Sequence, residues 1–481
     1  MSPVPRPGRG LWKRLVIGGL LIVAACAAAT SVAAFHEVQR VVNAFNQNKS
    51  INLGPQILAK TDPGKPQTIM LLGTDARSKT ARDYDGTARS DTIILVRLDP
   101  SKNATAMLSL PRDLKVQIPG HGVSKINDAF SLGGIKLTVE TVKQLTGLRI
   151  NHVISVDFRG FATAVDALGC VWVDIDRRYY NQNQAYATID VQPGYQKMCG
   201  GPALDYVRFR HLDNDIVRAA RQQQFLSAIK QQVGFSQLIG QRAKLLKIFG
   251  KYTRSDIRGT KQVLRILKLA VASASHPVQE VHFDGNLGPS YVTASATTVQ
   301  KLASQFLGVQ TVKQATRKAK KTRKRRHRRK DPASLNLVDV SGNTRQMALN
   351  AVGGGLKMRV IYPKLATRSS QAVPPTRSYS FRAPDGRVYR AYRMVFAAGG
   401  ANSIGQYWGV QGMTWKNPPL LQGDHETRSI GGRKFQIYYE GAKIDMVAWI
   451  TRDGLYYVKN TLSGALDNDQ MLAIARSCRS L

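Results

Sequence analysis

The distribution of apolar residues separates a short amino-terminal segment from two longer globular regions. The first apolar stretch runs from Leu15 to Phe35 without a charged residue. A helix over residues 15–35 reaches about 30 Å, which is enough to cross a bilayer. Because the preceding residues 1–14 are basic, we expect them to stay in the cytoplasm and the bulk of the chain to lie outside. The pattern predicts a single-pass cell-membrane protein with one amino-terminal transmembrane helix.

Two other interpretations of this apolar segment remain open. Its alanine-rich end is also typical of a cleaved signal peptide. The tetrapeptide that ends at Cys26 resembles a lipobox, which would make the chain a lipoprotein. We favour the uncleaved anchor because the apolar run continues well past Cys26.

The next region predicts a mixed α/β domain. Residues 36–66 are polar and are interpreted as a stalk. Over residues 67–309, short β-branched runs alternate with amphipathic stretches, which indicates a mixed sheet with flanking helices. Residues 310–334 follow, and they contain eleven Lys or Arg between Arg317 and Lys330. That composition cannot build an apolar core, so we predict a disordered basic linker.

Residues 335–481 predict a smaller, β-rich α+β domain without a recognisable catalytic set of residues. The predicted strands are joined at the turn dipeptides Asp385-Gly386, Glu440-Gly441 and Asp453-Gly454. Such dipeptides between alternating apolar residues favour hairpins. A short helix is predicted near the end of the chain, capped by Asp467 or Asn468.

The charge of the chain restricts the chemistry of its partner. The formal net charge is +39 at pH 7. Such an excess indicates an anionic partner, which could be nucleic acid, an anionic membrane or a phosphate-rich polymer. We expect the basic linker to contact anionic wall polymer or lipid headgroups.

Two of the four cysteines, Cys170 and Cys199, lie in the first domain. Outside the membrane such a pair can form a disulfide, whereas two separate buried thiols are the alternative. We favour the disulfide because Cys199 lies in a turn-like sequence.

Three predicted strands bring distant charged residues to one edge of a sheet. The first strand ends at Asp75, and the third ends just before Arg112. The second strand begins near Arg89 and Asp91. In an antiparallel meander these positions converge. Two carboxylates placed together suit Mg²⁺ bound jointly with a phosphate, but Asp–Arg ion pairs at the base of a loop explain the pattern equally well.

A second concentration of charge lies between residues 206 and 223. Arg208 and Arg210 flank Phe209, and this alternation predicts a strand with both guanidinium groups on one face. Guanidinium groups that are packed together repel each other unless an anion lies between them. A diphosphate, which planar guanidinium groups bind through paired hydrogen bonds, is therefore a suitable ligand.

A helix is predicted to begin at Asp215. Arg218 and Gln222 lie on the same stripe of this helix as Asp215, so all three are expected to face the ligand. A solvated basic helix face is the alternative interpretation. It accounts for Arg221 but not for the alternating arginines before the helix.

With these motifs the chain resembles the LytR-CpsA-Psr family. The matching pieces occur in the order LLGTDAR, RSDTIILVRLD, LSLPRDLKVQIP, KINDAFSLGG and ALDYVRFRH with the arginines and glutamines that follow. They span about residues 67–235. Family members transfer a glycopolymer, such as teichoic acid, capsule or arabinogalactan, from a polyprenyl (pyro)phosphate lipid onto peptidoglycan outside the cell. The resemblance implies a membrane-anchored, Mg²⁺-assisted phosphotransferase.

The resemblance also implies roles for individual residues. Asp75 and Asp91 would hold Mg²⁺. The pyrophosphate would be bound by Arg89, Arg112, Arg208, Arg210, Arg218 and Gln222 and, more weakly, by Lys125 and Arg221. Asp215 and Arg218 would be catalytic, with Asp215 as the base for the acceptor hydroxyl or as the group that orients Arg218. The family usually has glycine where this chain has Val217, which predicts an altered loop geometry.

Two functions of other classes remain open. The arginines and the basic linker could form a non-catalytic tether that holds anionic wall polymer. The linker could also bind DNA in a membrane-bound regulator. The predicted transmembrane helix places the linker outside the cell, so we expect no nucleic-acid partner.

Overall fold

A computed structural model describes most of the chain beyond the amino-terminal segment. The described ranges are 49–75, 89–101, 105–182, 188–209, 214–233, 241–274, 278–308, 331–399 and 405–481, without positions 55, 61 and 63, and with a few residues between 39 and 46. The predicted cytoplasmic tail and transmembrane helix, and the basic linker up to residue 330, lie outside these ranges. Within the described ranges, no helix has the length and apolar character needed to span a membrane.

The first domain is built on a seven-stranded mixed sheet. The strands of the whole domain are β1 (Lys49–Ser50), β2 (Gln67–Asp75), β3 (Arg89–Leu98), β4 (Thr105–Leu110), β5 (Lys115–Ile118), β6 (Gly122–Lys125), β7 (His152–Asp157), β8 (Val171–Ile175), β9 (Tyr179–Asn181), β10 (Ile189–Val191), β11 (Gly194–Met198), β12 (Thr253–Ser255), β13 (Val278–Val281), β14 (Asn286–Leu287) and β15 (Val292–Thr293). The large sheet has the order β1-β12-β7-β2-β3-β4-β13. β2, β3 and β4 pair antiparallel, as the predicted meander requires.

Helices cover this sheet. They are α1 (Asp128–Thr146), α2 (Phe158–Ala167), α3 (Gly200–Arg208), α4 (Asp215–Gln232), α5 (Arg242–Tyr252), α6 (Gly259–Ala274) and α7 (Ala296–Leu307). Met70 and Leu72 of β2 are two residues apart and therefore point to the same face. They share one buried core with Val139 and Val142 of α1. The predicted mixed sheet with flanking helices is confirmed.

Part of the predicted stalk belongs to this fold. β1 pairs in parallel with β12, and Ile51, Leu53 and Ile57 are buried in the same core as β2. The stalk interpretation is therefore wrong for this part of residues 36–66. Its apolar residues are too widely spaced among polar ones to stand out in the sequence.

The disulfide between Cys170 and Cys199 is present in the structure. Cys170 immediately precedes β8, and Cys199 is the residue before α3. The bond thus ties the start of α3 to the β8–β11 hairpin. This matters for the site, because α3 ends at Arg208.

The second domain contains a seven-stranded antiparallel sheet. The strands of the whole domain are β16 (Leu337–Asp339), β17 (Ile361–Tyr362), β18 (Leu365–Thr367), β19 (Gln371–Arg382), β20 (Val388–Ala397), β21 (Tyr407–Met413), β22 (His425–Ile430), β23 (Arg433–Glu440), β24 (Lys443–Ile450), β25 (Leu455–Lys459) and β26 (Arg479–Ser480). The large sheet has the order β19-β20-β21-β25-β24-β23-β22. Two α-helices, α8 (Ser341–Gly353) and α9 (Asn468–Ser477), and the 3-10 turns Pro332–Leu335 and Pro419–Leu421 complete it. The predicted hairpins are confirmed, and Asp467 caps α9.

The two domains meet through a buried ion pair. Arg393 of β20 donates from Nη1 to Oδ2 of Asp174 in β8 at 3.2 Å, and the two side chains are 0% and 1% exposed. The hydroxyl of Tyr457 donates to Oδ1 of Asp174 at 2.9 Å. Around this pair, Trp172 and Tyr195 of the first domain pack in one apolar cluster with side chains of the second sheet. The antiparallel pair β8–β11 of the first domain is therefore docked against the large sheet of the second domain through desolvated groups.

This docking predicts that the halves stay together when the basic linker is cut. After trypsin cleavage of the full chain in detergent, size-exclusion chromatography should recover both halves in one peak. Arg393→Ala should separate them, because an uncompensated buried carboxylate costs about 3–5 kcal/mol. Arg359→Ala, which removes an exposed pair with Asp453, is the matched control and should leave them associated. Separation of the wild-type halves would contradict a stable interface.

Candidate active site at the sheet edge

The ends of β2 and β3 form the base of the candidate site. Asp75 lies opposite Arg89 in the strand register, and the register shifts between Gly73 and Thr74. The shift leaves Asp91 as an extra residue on β3. A bulge of this kind bends the strand and redirects its side chains. The backbone thus brings the three predicted residues to one edge, but the structure does not describe the side chains of Asp75 and Arg89.

Arg112 is the central cation of the site. It follows β4, and its Nη1 donates to Oδ1 of Asp91 at 2.7 Å. Its Nε lies 3.6 Å from Asp113 Oδ2 and 3.7 Å from Asp215 Oδ1. Burial alone would lower the pKa of Arg112, but the three carboxylates raise it above its ordinary value. The guanidinium group therefore stays charged and links β3, β4 and α4.

Asp215 lies between two guanidinium groups at the start of α4. The side chain of Asn214 caps this helix by accepting from the backbone N–H of Val217 at 2.9 Å. Arg218, one turn later, places Nη2 2.7 Å from Asp215 Oδ1. Asp215 Oδ2 accepts from the backbone N–H of Asp113 at 2.8 Å. The capped helix start therefore holds the carboxylate in a fixed orientation.

The surroundings of Asp215 make it a stronger base than an ordinary carboxylate. Burial raises the pKa of Asp215, and the nearby charge of Asp113 adds to this, whereas Arg218 and Arg112 oppose it. The net pKa lies above the usual value for an aspartate. A carboxylate of raised pKa is better suited to accept a proton from an attacking hydroxyl.

Asp113 is a member of the site that the sequence analysis missed. Its carboxylate lies 3.1 Å from Nζ of Lys125, a predicted ligand-binding residue. Burial would raise the pKa of Asp113, but Arg112 and Lys125 hold it below its usual range. The sequence feature that could have identified Asp113 is its position directly after Arg112 in the motif LSLPRDLKVQIP.

Gln222 and Arg208 lie at the sides of the site. Nε2 of Gln222 donates to the hydroxyl of Thr92 in β3 at 2.9 Å and to the carbonyl of Val207 at 3.2 Å. The guanidinium group of Arg208 stacks on the ring of Phe158, 4.6 Å from its centroid. Phe158 directly follows β7, which runs parallel to β2 up to its last residues. Arg208 is thus at the same edge of the sheet as the end of β2.

The strand predicted around Arg208 is wrong. The structure has α3 from Gly200 to Arg208, and the chain becomes extended only at Phe209. Alternation over so few residues also fits one turn of a helix, so the sequence pattern could not distinguish the two. Arg210 lies outside the described residues.

The role predicted for Arg221 is also wrong. Its side chain is fully buried, neither on a solvated face nor open to a ligand. Its guanidinium group lies 4.6 Å from the ring centroid of Tyr179 and 5.5 Å from that of Tyr206. It also donates to the carbonyl of Phe209 at 2.6 Å. Arg221 therefore links α4 to the end of α3 from inside the fold.

Val217, which stands where the resembling family usually has glycine, is fully buried. It forms a small apolar cluster with Ala220 and with Leu462, which follows β25 in the second domain. Its side chain thus fills a contact between the site helix and the second domain. A glycine at this position would lack that contact.

Comparisons with known proteins identify relatives of this chain. The model of the LytR_cpsA_psr family matches residues 23–321 of the chain. The polyisoprenyl-teichoic acid–peptidoglycan teichoic acid transferase TagT of Bacillus subtilis (strain 168) is 35% identical over 225 residues, which cover 45% of this chain and 69% of TagT. The probable cell wall biosynthesis protein LcpB of Corynebacterium glutamicum is 37% identical over 171 residues, which cover 33% of this chain and 40% of LcpB.

Solved structures also resemble part of the chain. The alignment with the crystal structure of B. subtilis TagV covers 51% of this chain and 97% of the TagV chain, with 28% identity and a TM-score of 0.42. The family match covers more than half of the chain and includes all the motifs quoted from the sequence. The chain therefore belongs to the LytR-CpsA-Psr family.

Proposed function

We propose that this protein is a membrane-anchored phosphotransferase that moves a glycopolymer from a polyprenyl (pyro)phosphate lipid onto peptidoglycan. The observation that carries the proposal is the buried cluster in which Asp215 lies between Arg112 and Arg218. Such a cluster offers both a base and two anion-binding groups within a few ångströms. The name of the relative TagT, a transferase of polyisoprenyl-linked teichoic acid to peptidoglycan, supports the same substrate class.

The cations of the site would bind the pyrophosphate of the lipid. Arg112 and Arg218 have planar guanidinium groups, which can bind two phosphate oxygens at once. Lys125 is about one third exposed and Arg208 is half-buried, so both can reach a ligand from the open side. These positive charges would stabilise the charge that develops on the lipid phosphate as it leaves.

Asp215 would act on the acceptor. The oxygen of a peptidoglycan hydroxyl attacks the phosphorus that carries the glycopolymer, and Asp215 accepts the proton of that hydroxyl. The phosphorus–oxygen bond to the lipid phosphate breaks, and the lipid phosphate leaves with the bonding electrons. Arg218 keeps Asp215 oriented throughout, because their ion pair spans a single helical turn.

Mg²⁺ is the proposed cofactor, held by Asp75 and Asp91. The bulge at Asp91 and the backbone position of Asp75 at the same sheet edge fit a pair of oxygen donors. Asp91 binds Arg112 through Oδ1 and has Oδ2 as a further donor. When bound, Mg²⁺ would supply charge neutralisation for the pyrophosphate.

The proposed location is the outer face of the cell membrane. Residues 15–35 would anchor the chain, and the basic linker at 310–334 would contact anionic wall polymer or lipid headgroups. The Cys170–Cys199 disulfide supports this location, since such bonds persist in oxidising compartments.

The first prediction from the proposed function concerns phosphate binding by Arg218. Arg218→Lys should lower kcat/KM for a short-chain pyrophosphate lipid analogue by about ten-fold or more, because lysine lacks the planar fork. Arg178→Lys changes an exposed arginine that pairs with Asp190 and should leave turnover unchanged. Equal turnover by wild type and Arg218→Lys would contradict the proposed role.

The second prediction concerns the cofactor. In buffers with chelator-controlled free Mg²⁺, wild-type turnover should rise with Mg²⁺ and saturate. Asp91→Asn should abolish this response because a metal ligand is lost. The control Asp190→Asn, on an exposed hairpin, should respond like the wild type. A normal Mg²⁺ response in Asp91→Asn would remove Asp91 from the metal site.

The third prediction concerns pH. A base must be deprotonated to act, so kcat/KM should fall as the pH drops through the raised pKa of Asp215. Asp113→Asn removes a negative charge that raises this pKa, so the acid limb of the profile should move to lower pH. Asp453→Asn is an exposed control. An acid limb that stays in place in Asp113→Asn would argue against Asp215 as the base.

A further inference from the structure

Three side chains with metal-binding atoms converge where the two domains meet. Glu280 belongs to β13, and His282 follows directly after that strand. Two residues apart on extended backbone, they point to the same side. Glu440 is the last residue of β23 in the second domain. One donor atom from each of the three lies within 4.8 Å of the others.

The two ring nitrogens of His282 differ in their contacts. Nε2 of His282 lies 2.9 Å from Oε1 of Glu440. The buried Nδ1 of His282 has no hydrogen-bond partner among the residues that the structure describes. The imidazole of His282 and the carboxylates of Glu280 and Glu440 therefore form one compact group.

Other groups around the three residues complete their environment. The hydroxyl of Ser227 in α4 donates to Glu280, which orients that carboxylate. Asp445 lies close enough to influence both Glu280 and His282 and is itself paired with Lys459. Lys443 is the further cation that acts on His282. Oriented carboxylates with outer hydrogen-bond partners are typical of metal sites in proteins.

A cavity reaches the two glutamates of this group. It has a volume of about 470 Å³ and is lined by residues of both domains, among them Glu280, Glu440, Trp172 and Tyr195. An ion bound by three protein ligands would keep a further coordination position open toward this space. The cavity therefore provides both an entry path and room for a water ligand.

We propose that Glu280, His282 and Glu440 form a binding site for a divalent transition metal ion, Zn²⁺ by its ligand chemistry, that joins the two domains. One imidazole nitrogen and two carboxylate oxygens are donors that Zn²⁺ accepts. A dication would remove the repulsion between the carboxylates. Since two ligands come from the first sheet and one from the second, the ion would cross-link the domains. The site is separate from the cluster at Arg112 and does not depend on the proposed transferase activity.

Calorimetric titration of the full chain with Zn²⁺ tests the proposal. The protein is kept in detergent, carries no polyhistidine tag, is stripped of metal beforehand and is titrated at neutral pH. We expect one Zn²⁺ per chain. His282→Gln and Glu440→Gln should each weaken binding by about ten-fold or more, because each removes one of three protein ligands. Bound Zn²⁺ should also raise the Tm of the wild type more than that of either variant.

A matched control separates this site from surface histidines. His425→Gln changes an exposed histidine of β22 in the same sheet as Glu440 and should bind Zn²⁺ like the wild type. Circular dichroism checks that every variant is folded. Absence of Zn²⁺ binding by the wild type would overturn the proposal and leave a metal-free ion pair between His282 and Glu440. Unchanged binding in both His282→Gln and Glu440→Gln would overturn it equally, because the ion would then bind elsewhere.

Discussion

The guanidinium group of Arg112 is the interaction on which the candidate site depends. It lies among carboxylates from three different elements: Asp91 on β3, Asp113 beyond β4 and Asp215 at the start of α4. Without this cation, three partly buried negative charges would face one another, and their mutual repulsion would favour protonation. The position of α4 over the sheet edge, and with it the position of Arg218, follows from this charge balance.

The second domain also contributes to the surroundings of the site helix. Val217 at the beginning of α4 packs against Leu462, and Ser227 two to three turns later donates to Glu280 beside Glu440 of the second sheet. One helix thus carries catalytic candidates at its start and interdomain contacts along its length. A change in how the two domains dock would therefore shift the position of α4, and with it the side chains at the candidate site.

Several elements were predictable because their signals are local. The hairpin at Asp385-Gly386 and the capped helix after Asp467 follow from turn and capping chemistry within a few residues. The convergence of Asp91 and Arg112 was also predictable, since a short connection forces neighbouring strands into an antiparallel pair. The strand expected at Arg208 failed because a brief alternation of polar and apolar residues does not distinguish a strand from a helical turn.

The sequence by itself determined the family, and it predicted two domains and most of the charged residues that meet at the candidate site, because motifs, turns and composition are properties of neighbouring positions. Only the tertiary structure decided that Arg221 is buried among aromatic rings and that Asp113 belongs to the site. It also brought Glu280 and His282 to Glu440, about 160 residues away along the chain. The physical reason is that burial and ion pairing depend on which surfaces pack together, and no local pattern specifies the packing of one domain against another.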